Sequence, residues 1–289
     1  MKAYRSISDL PFNRRAKAFA GRFIGYFNPA LFEAVHQEPF DPNWGAAGKL
    51  VRNAHLVRAV KNRDHSTLRR FFTHYWSSSV SKEFFEGYAS RFESLFLGHH
   101  SGIASRITAE LPQSAAGGIR LVEIGSGDGR VLEWLSRELD GVNEFHGVDL
   151  NADEIEKCRV RHAGSKRLFF HHNDVLAWMK RHPSPGTILI TNGGVFEYLL
   201  DEELRELFGE LRRLCSPCLV AITESVAVDH DFSAETASLP YGHEFAFSHN
   251  YPALLRESGF EIRWERDRAT LPGEENHPAR WLQIVAAAN

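Results

Sequence analysis

Two hydrophobic textures divide the chain. From residue 12 to about 111 apolar residues recur at three- and four-residue steps, the spacing of helices that bury one face. A proline-rich bend at 38–44 and a glycine at 98 read as breaks. Within 81–97, Phe85, Tyr88, Phe92 and Phe96 keep this step, so a helix there would stack four aromatics on one side. After a run of small residues at 112–118 the pattern changes to short apolar runs separated by helical stretches. These runs, at 120–124, 145–149, 168–172, 187–191, 218–223, 261–265 and 281–287, read as strands.

Strands alternating with helices predict right-handed crossovers and an α/β fold, a doubly wound, seven-stranded, mostly parallel sheet covered on both faces. No convincing helix separates the last two runs, so the final strand is expected to return antiparallel at the sheet edge. The expected division is a helical N-terminal region at 1–111, forming a lid or cover over a site, and a sheet domain at 112–289.

Composition changes this picture little. With 43% hydrophobic and 25% charged residues, the 289-residue chain is globular in character, and no run of eighteen apolar residues suggests a membrane span. The first residues lack the apolar stretch of a signal peptide, so the expected location is the cytoplasm. Three cysteines cannot make a disulfide framework, and Cys215 and Cys218, around a proline, read as small buried thiols. Charge is uneven: residues 1–100 hold 15 Lys and Arg against 8 Asp and Glu, or +7, and the remainder, 19 against 29, is −10. The basic part is expected to dock on the acidic part of its own chain.

The chemistry begins where the first strand runs into glycine. Leu121-Val-Glu-Ile-Gly-Ser-Gly-Asp-Gly-Arg130 carries glycines at 125, 127 and 129 at the carboxyl end of a strand, where open α/β sheets bind ligands. A dinucleotide fingerprint wants its third glycine where Arg130 stands, so the spacing speaks against a pyrophosphate. The next strand ends in Asp149, placed to accept from both hydroxyls of a ribose. The third ends at Asn173 and Asp174, and the fourth at Asn192.

Across about residues 84–287 the chain resembles the class I, Rossmann-like S-adenosylmethionine-dependent methyltransferases. The resemblance implies S-adenosylmethionine as cofactor. Glu123 would orient the methionine amine and the loop Gly125, Ser126, Gly127 and Gly129; Asp149, with Leu150 beside it, would hold the ribose. Asp174 would meet the adenine amine between Asn173 and Val175, and Asn192 would face the methyl end. Tyr88 is the lid candidate, by similarity to the aromatic helix that many small-molecule members fold over the cofactor.

Methyl transfer from a sulfonium is an in-line displacement, so aligning the acceptor and excluding water can supply roughly 7 to 11 kcal/mol of the barrier. A general base adds about 10²- to 10⁴-fold where the acceptor must lose a proton. His249 is the first candidate for that role, followed by Glu197, Tyr198, His230 and His243, all near the fourth and fifth strand ends. No ligand set closes around a metal, so none is expected. The expected acceptor is a small, apolar or aromatic metabolite methylated on oxygen or nitrogen, and a homodimer stays open. A nucleic-acid methyltransferase is disfavoured because Asn192-Gly-Gly-Val lacks the proline and aromatic that grip a flipped base. Two further readings are a catalytically silent cofactor-binding partner module and, from cationic residues 14–27, a membrane-surface helix with a lipid-like acceptor.

Overall fold

The structure, a computed structural model, describes residues 1–77, 87–111, 118–242, 245–268 and 280–289. The chain opens with four helices, α1 (Phe12–Phe27), α2 (Pro29–Gln37), α3 (Ala46–Asn62) and α4 (His65–Ser77). Asn28 caps α2 by accepting the Leu31 N–H ahead of a proline in the first turn, and Asp64 accepts from Thr67 at the start of α4. α1 lies on α3 through its smallest residues, because a side chain at Gly21 would strike the Leu50 carbonyl and one at Gly25 the Phe32 ring. Leu10, Ala18, Val57, Leu68 and Phe72 form the core of this region.

The 88–109 stretch departs from the expected single aromatic helix. A short α5 (Tyr88–Arg91) widens into a π-helix over Phe92–His100 and is followed by α6 (Ile103–Ala109), so Gly98 does not interrupt it. Widening separates the aromatics: Phe96 enters the core of the sheet domain with Ile103 and Ile107, and Tyr88 turns elsewhere. Phe85 and the linker at 112–117 lie outside the described residues.

The sheet contains β1 (Arg120–Ile124), β2 (Glu144–Asp149), β3 (Leu168–His172), β4 (Thr187–Asn192), β5 (Cys218–Val226), β8 (Glu261–Arg268) and β9 (Arg280–Ala288), in the order β3-β2-β1-β4-β5-β9-β8. Strands β1 to β5 pair in parallel. The α/β class and mostly parallel seven-stranded sheet are as the sequence pattern suggests. The last strand is antiparallel, but it inserts between β5 and β8 and leaves β8 at the edge. Side-chain pattern explains this. Residues 281–286 are buried on both faces, whereas β8 puts Glu261, Arg263, Glu265 and Asp267 outward, as an edge strand that must avoid further pairing does.

Alternating residues feed two cores. Val122, Leu189, Val220 and Ile284 pack under α9 (Val175–Arg181), α10 (Asp201–Cys215) and α11 (Tyr251–Glu257). Leu121, Ile188, Ala221 and Val285 pack under α6, α7 (Arg130–Glu138) and α8 (Ala152–Arg161). A small hairpin, β6 (Leu239–Tyr241) and β7 (Ala246–Ser248), was not legible from three-residue strands; its Phe247 and the neighbouring Phe245 join the helical core. Arg5, bound to Asp229 and Glu235, and Arg69, bound to Glu203, tie the basic region to the acidic one. All three cysteines are free and buried.

Candidate functional site

β1 and β4 are neighbours from which the chain winds outward in opposite directions, and such switch points open a crevice at the carboxyl strand ends. Gly125, Gly127 and Gly129 take φ of 66°, 49° and 76° there. At Gly127 the need is steric as well as torsional: an added Cβ would sit 2.7 Å from Cζ and 2.8 Å from the hydroxyl of Tyr88. Tyr88 therefore rests directly on the loop.

Asp149 at the end of β2 holds the loop from the other side. Its Oδ2 accepts the Gly127 N–H at 2.9 Å and its Oδ1 the Asn151 N–H at 2.8 Å. Burial raises its carboxyl pKa, and those two hydrogen bonds oppose the rise. A carboxylate offers about four acceptor positions, so room remains for a ligand. Glu123 lies buried beneath the loop. Burial, then the nearby Asp128 and Asp149, push its pKa well above the usual range, and Oε2 has no hydrogen-bond partner among the described residues. Leaving such an oxygen unmatched is costly, and a cationic donor from a ligand would satisfy it. The buried Ser126 hydroxyl is in the same condition.

The crevice is a cleft of about 820 Å³, counting its open mouth. Tyr88, Gly125, Asp149, Leu150, Asn173, Asp174, Val175 and Asn192 line it, joined by Ile124, Val148 and Val195. Asp174 caps α9 by accepting the Ala177 N–H at 3.0 Å, and Asn173 accepts from Arg181 at 2.7 Å. Glu123, Ser126, Gly127 and Gly129 form the layer behind the cleft wall.

Sequence reasoning missed two supports of this wall. His100, at the end of the π-helix, places Nδ1 3.2 Å from Asn192 Oδ1. Because that oxygen only accepts, the ring donates and the Asn192 amide N–H₂ is left for the cleft. Burial depresses the His100 pKa to about 4, so the ring stays neutral. Gln283 donates to the His100 carbonyl and to Thr223, both at 3.1 Å. Glu224, buried at the end of β5, accepts the N–H groups of Val195 at 3.0 Å and Phe196 at 3.1 Å, fixing the turn after β4. Burial pushes its pKa up to about 7.

Of the candidates for a general base among the described residues, only Tyr198 lines the cleft. His249 is fully buried away from it, with ring nitrogens 3.0 Å from Asp201 Oδ1 and 3.1 Å from the Phe196 carbonyl; Asn250, one residue on, caps α11. His230 sits between Ser248 at 2.9 Å and the Glu235 carbonyl at 3.3 Å. Glu197 accepts from Ser225 at 3.1 Å and from the Tyr241 hydroxyl. These are packing partners behind the 196–249 surface. His243 lies outside the described residues. The far end of the cleft is instead walled by Arg69 and Trp76 from α4 with Tyr198 and Leu199. Trp76 and Tyr198 meet edge to face at 5.1 Å.

Residues 121–218 match a family model described as "Methyltransferase domain". This segment carries a methyltransferase domain. That makes the chain an enzyme of the methyltransferase kind. Among solved structures, a S-adenosylmethionine-dependent methyltransferase from Leishmania major is 16% identical, covers 76% of this chain and 82% of its own length, and superposes with a TM-score of 0.50, a likeness of fold. Magnesium protoporphyrin IX methyltransferase from Synechocystis, solved with its cofactor bound, is 15% identical over 77% of this chain and 97% of its own, at TM-score 0.49. A TehB-like methyltransferase from Corynebacterium glutamicum is 17% identical over 72% and 100%, at 0.45. No curated protein matches the chain. No helix among the described residues of the methyltransferase is long and apolar enough to cross a membrane.

Proposed function

We propose that the protein transfers a methyl group from S-adenosylmethionine to an oxygen or nitrogen of a small, apolar or aromatic metabolite held between Tyr198, Leu199, Trp76 and Arg69. The single observation that carries this reading is that one cleft joins the strand-end polar residues to an aromatic wall from α4, with the unmatched Glu123 Oε2 behind the loop. In this reading Asp149 takes the ribose hydroxyls, and Glu123 with the 125–129 loop takes the methionine amine. Asp174, Asn173, Leu150 and Val175 surround the adenine, and Asn192 stands at the methyl end. Tyr88 covers the loop and excludes water.

The bound cofactor supplies an electrophilic methyl on a sulfonium whose charge disappears on transfer. The protein's part is alignment and dryness. Asn192, pre-set by His100, offers its amide N–H₂ to a fixed point in the cleft, and Trp76, Leu199 and Tyr198 hold a flat acceptor in line. Among the candidates in the described residues, Tyr198 is the one placed to receive or orient an acceptor proton. For domain organisation, residues 1–77 form the cover, while 88–109, packed in the sheet core, would move with the sheet domain.

Following S-adenosylhomocysteine release across a panel of small phenols, aryl amines and carboxylic acids, with duplex DNA and RNA alongside, tests the reading. Turnover with a small aromatic acceptor is expected. Turnover confined to polynucleotide, or cofactor binding without turnover on any acceptor, would overturn it.

A further inference from the structure

The outer side of α1 is inverted relative to an ordinary surface helix. Ala18, Gly21 and Gly25 face inward, while Phe12, Phe19, Phe23, Tyr26 and Phe27 are 78, 73, 59, 80 and 69% exposed. At 3.6 residues per turn these five aromatics fall within an arc of about 100°, opposite the small residues. Rolling the helix to hide them would bring a Cβ where Gly21 and Gly25 sit against the Leu50 carbonyl and the Phe32 ring, and there is no room for one. Arg15, Lys17 and Arg22 are exposed on the same helix, which contains no acidic residue. Beside it runs a groove of about 1220 Å³, counting its open side, with Phe19 and Phe32 in its wall and Arg15, Arg22, Arg58 and Lys61 around it.

We propose that this face of α1, with the adjoining groove, docks on the surface of an anionic lipid bilayer. Aromatic rings that are fixed outward and bordered by cations match the boundary of a membrane, where rings enter the interfacial layer and Arg and Lys meet lipid phosphates. The groove adds an apolar wall and four cations, a fit for one phosphate headgroup and the start of its acyl chain. Two other occupants fit less well. In a two-fold dimer the patch would face itself, setting Arg15 and Arg22 near their own copies. Single-stranded nucleic acid needs open ring faces for stacking, but Phe23 and Phe27 lie tilted at 60° and Tyr26 and Phe27 at 86°, packed on one another. The surface is separate from the cofactor cleft, so its failure would leave the proposed methyl transfer standing.

The test is flotation of the full chain with vesicles of phosphatidylcholine alone and of phosphatidylcholine with phosphatidylglycerol, at low and high salt. Bound protein should rise about tenfold or more with the anionic lipid and fall as salt screens the charges. Arg15→Glu with Arg22→Glu should weaken anionic-vesicle binding by roughly a hundredfold, and Phe19→Ser with Phe23→Ser should abolish it. All four positions are exposed, so thermal melting and S-adenosylhomocysteine affinity should match the parent protein. Three results would each overturn the proposal: no binding to either vesicle, a dimer in sedimentation equilibrium that Phe19→Ser with Phe23→Ser dissociates, or salt-sensitive polynucleotide binding stronger than that to vesicles.

Discussion

The two ends of the cleft are made of opposite kinds of parts. At one end β1, β2 and β3 finish side by side, and the loop and acids that follow are held by backbone: Gly127 by Asp149, Ala177 by Asp174. At the other end the wall is assembled from Trp76 and Arg69 on α4 and Tyr198 and Leu199 after β4, segments more than a hundred residues apart. A site built on adjacent strand ends is fixed by topology, so the same short motifs can serve any member of a fold. A wall of side chains brought together by helix packing can vary freely, and the proposed function puts acceptor choice there.

Breaking the strand-end half should have the largest effect. Asp149→Ala removes the proposed ribose acceptor and the tie to Gly127, and calorimetry should find S-adenosylhomocysteine affinity down about a hundredfold, near 3 kcal/mol. Next comes the buried Glu224, which fixes the turn after β4. Its folded pKa is about 7 against a reference of 4.5, so the folded state keeps a proton that the unfolded chain releases between those values. Stability from this group is full below about pH 4.5 and is lost as pH rises to about 7, by up to roughly 3 kcal/mol. Denaturant titrations across this window should show that decline, and Glu224→Gln should flatten it.

Gly127→Ala should cost about tenfold or somewhat more in cofactor affinity by calorimetry. Adding Tyr88→Ala should recover only part, since the positive φ still costs roughly 1 kcal/mol. The acceptor half should separate cleanly from the cofactor half: Trp76→Ala is expected to lower kcat/KM for the acceptor about tenfold while S-adenosylhomocysteine binding stays within twofold. The smallest effect belongs to the half-exposed Arg5, bonded to Glu235 and Asp229. Arg5→Ala should lower the melting temperature by about 1–2 °C, a difference that salt erases.

The same contrast governs what the sequence reveals. β1 to β4 and their polar ends are local signals, an apolar run followed by glycine or acid, and the strand positions follow from them. The place of β9 inside the sheet also had a signal, the charged alternation of β8, which marks β8 and not the last strand as the edge. The 92–100 π-helix had none, because aromatics at three- and four-residue steps look the same until widening sends Tyr88 to the loop and Phe96 to the core. His249 and His230 drew attention by their chemistry and neighbours in sequence, yet burial gives both to packing. Trp76 and Arg69 reach the cleft, and His100 reaches Asn192 in its wall, only through tertiary contacts, which no local pattern encodes.

We propose that the crevice at the β1, β2 and β4 ends is a nucleoside-sulfonium site and not a dinucleotide site. Calorimetric titration of the intact protein with S-adenosylhomocysteine and, separately, with NAD tests it most directly. One equivalent of S-adenosylhomocysteine bound with measurable heat, and none with NAD, is the expected result; NAD binding with no response to S-adenosylhomocysteine would contradict it.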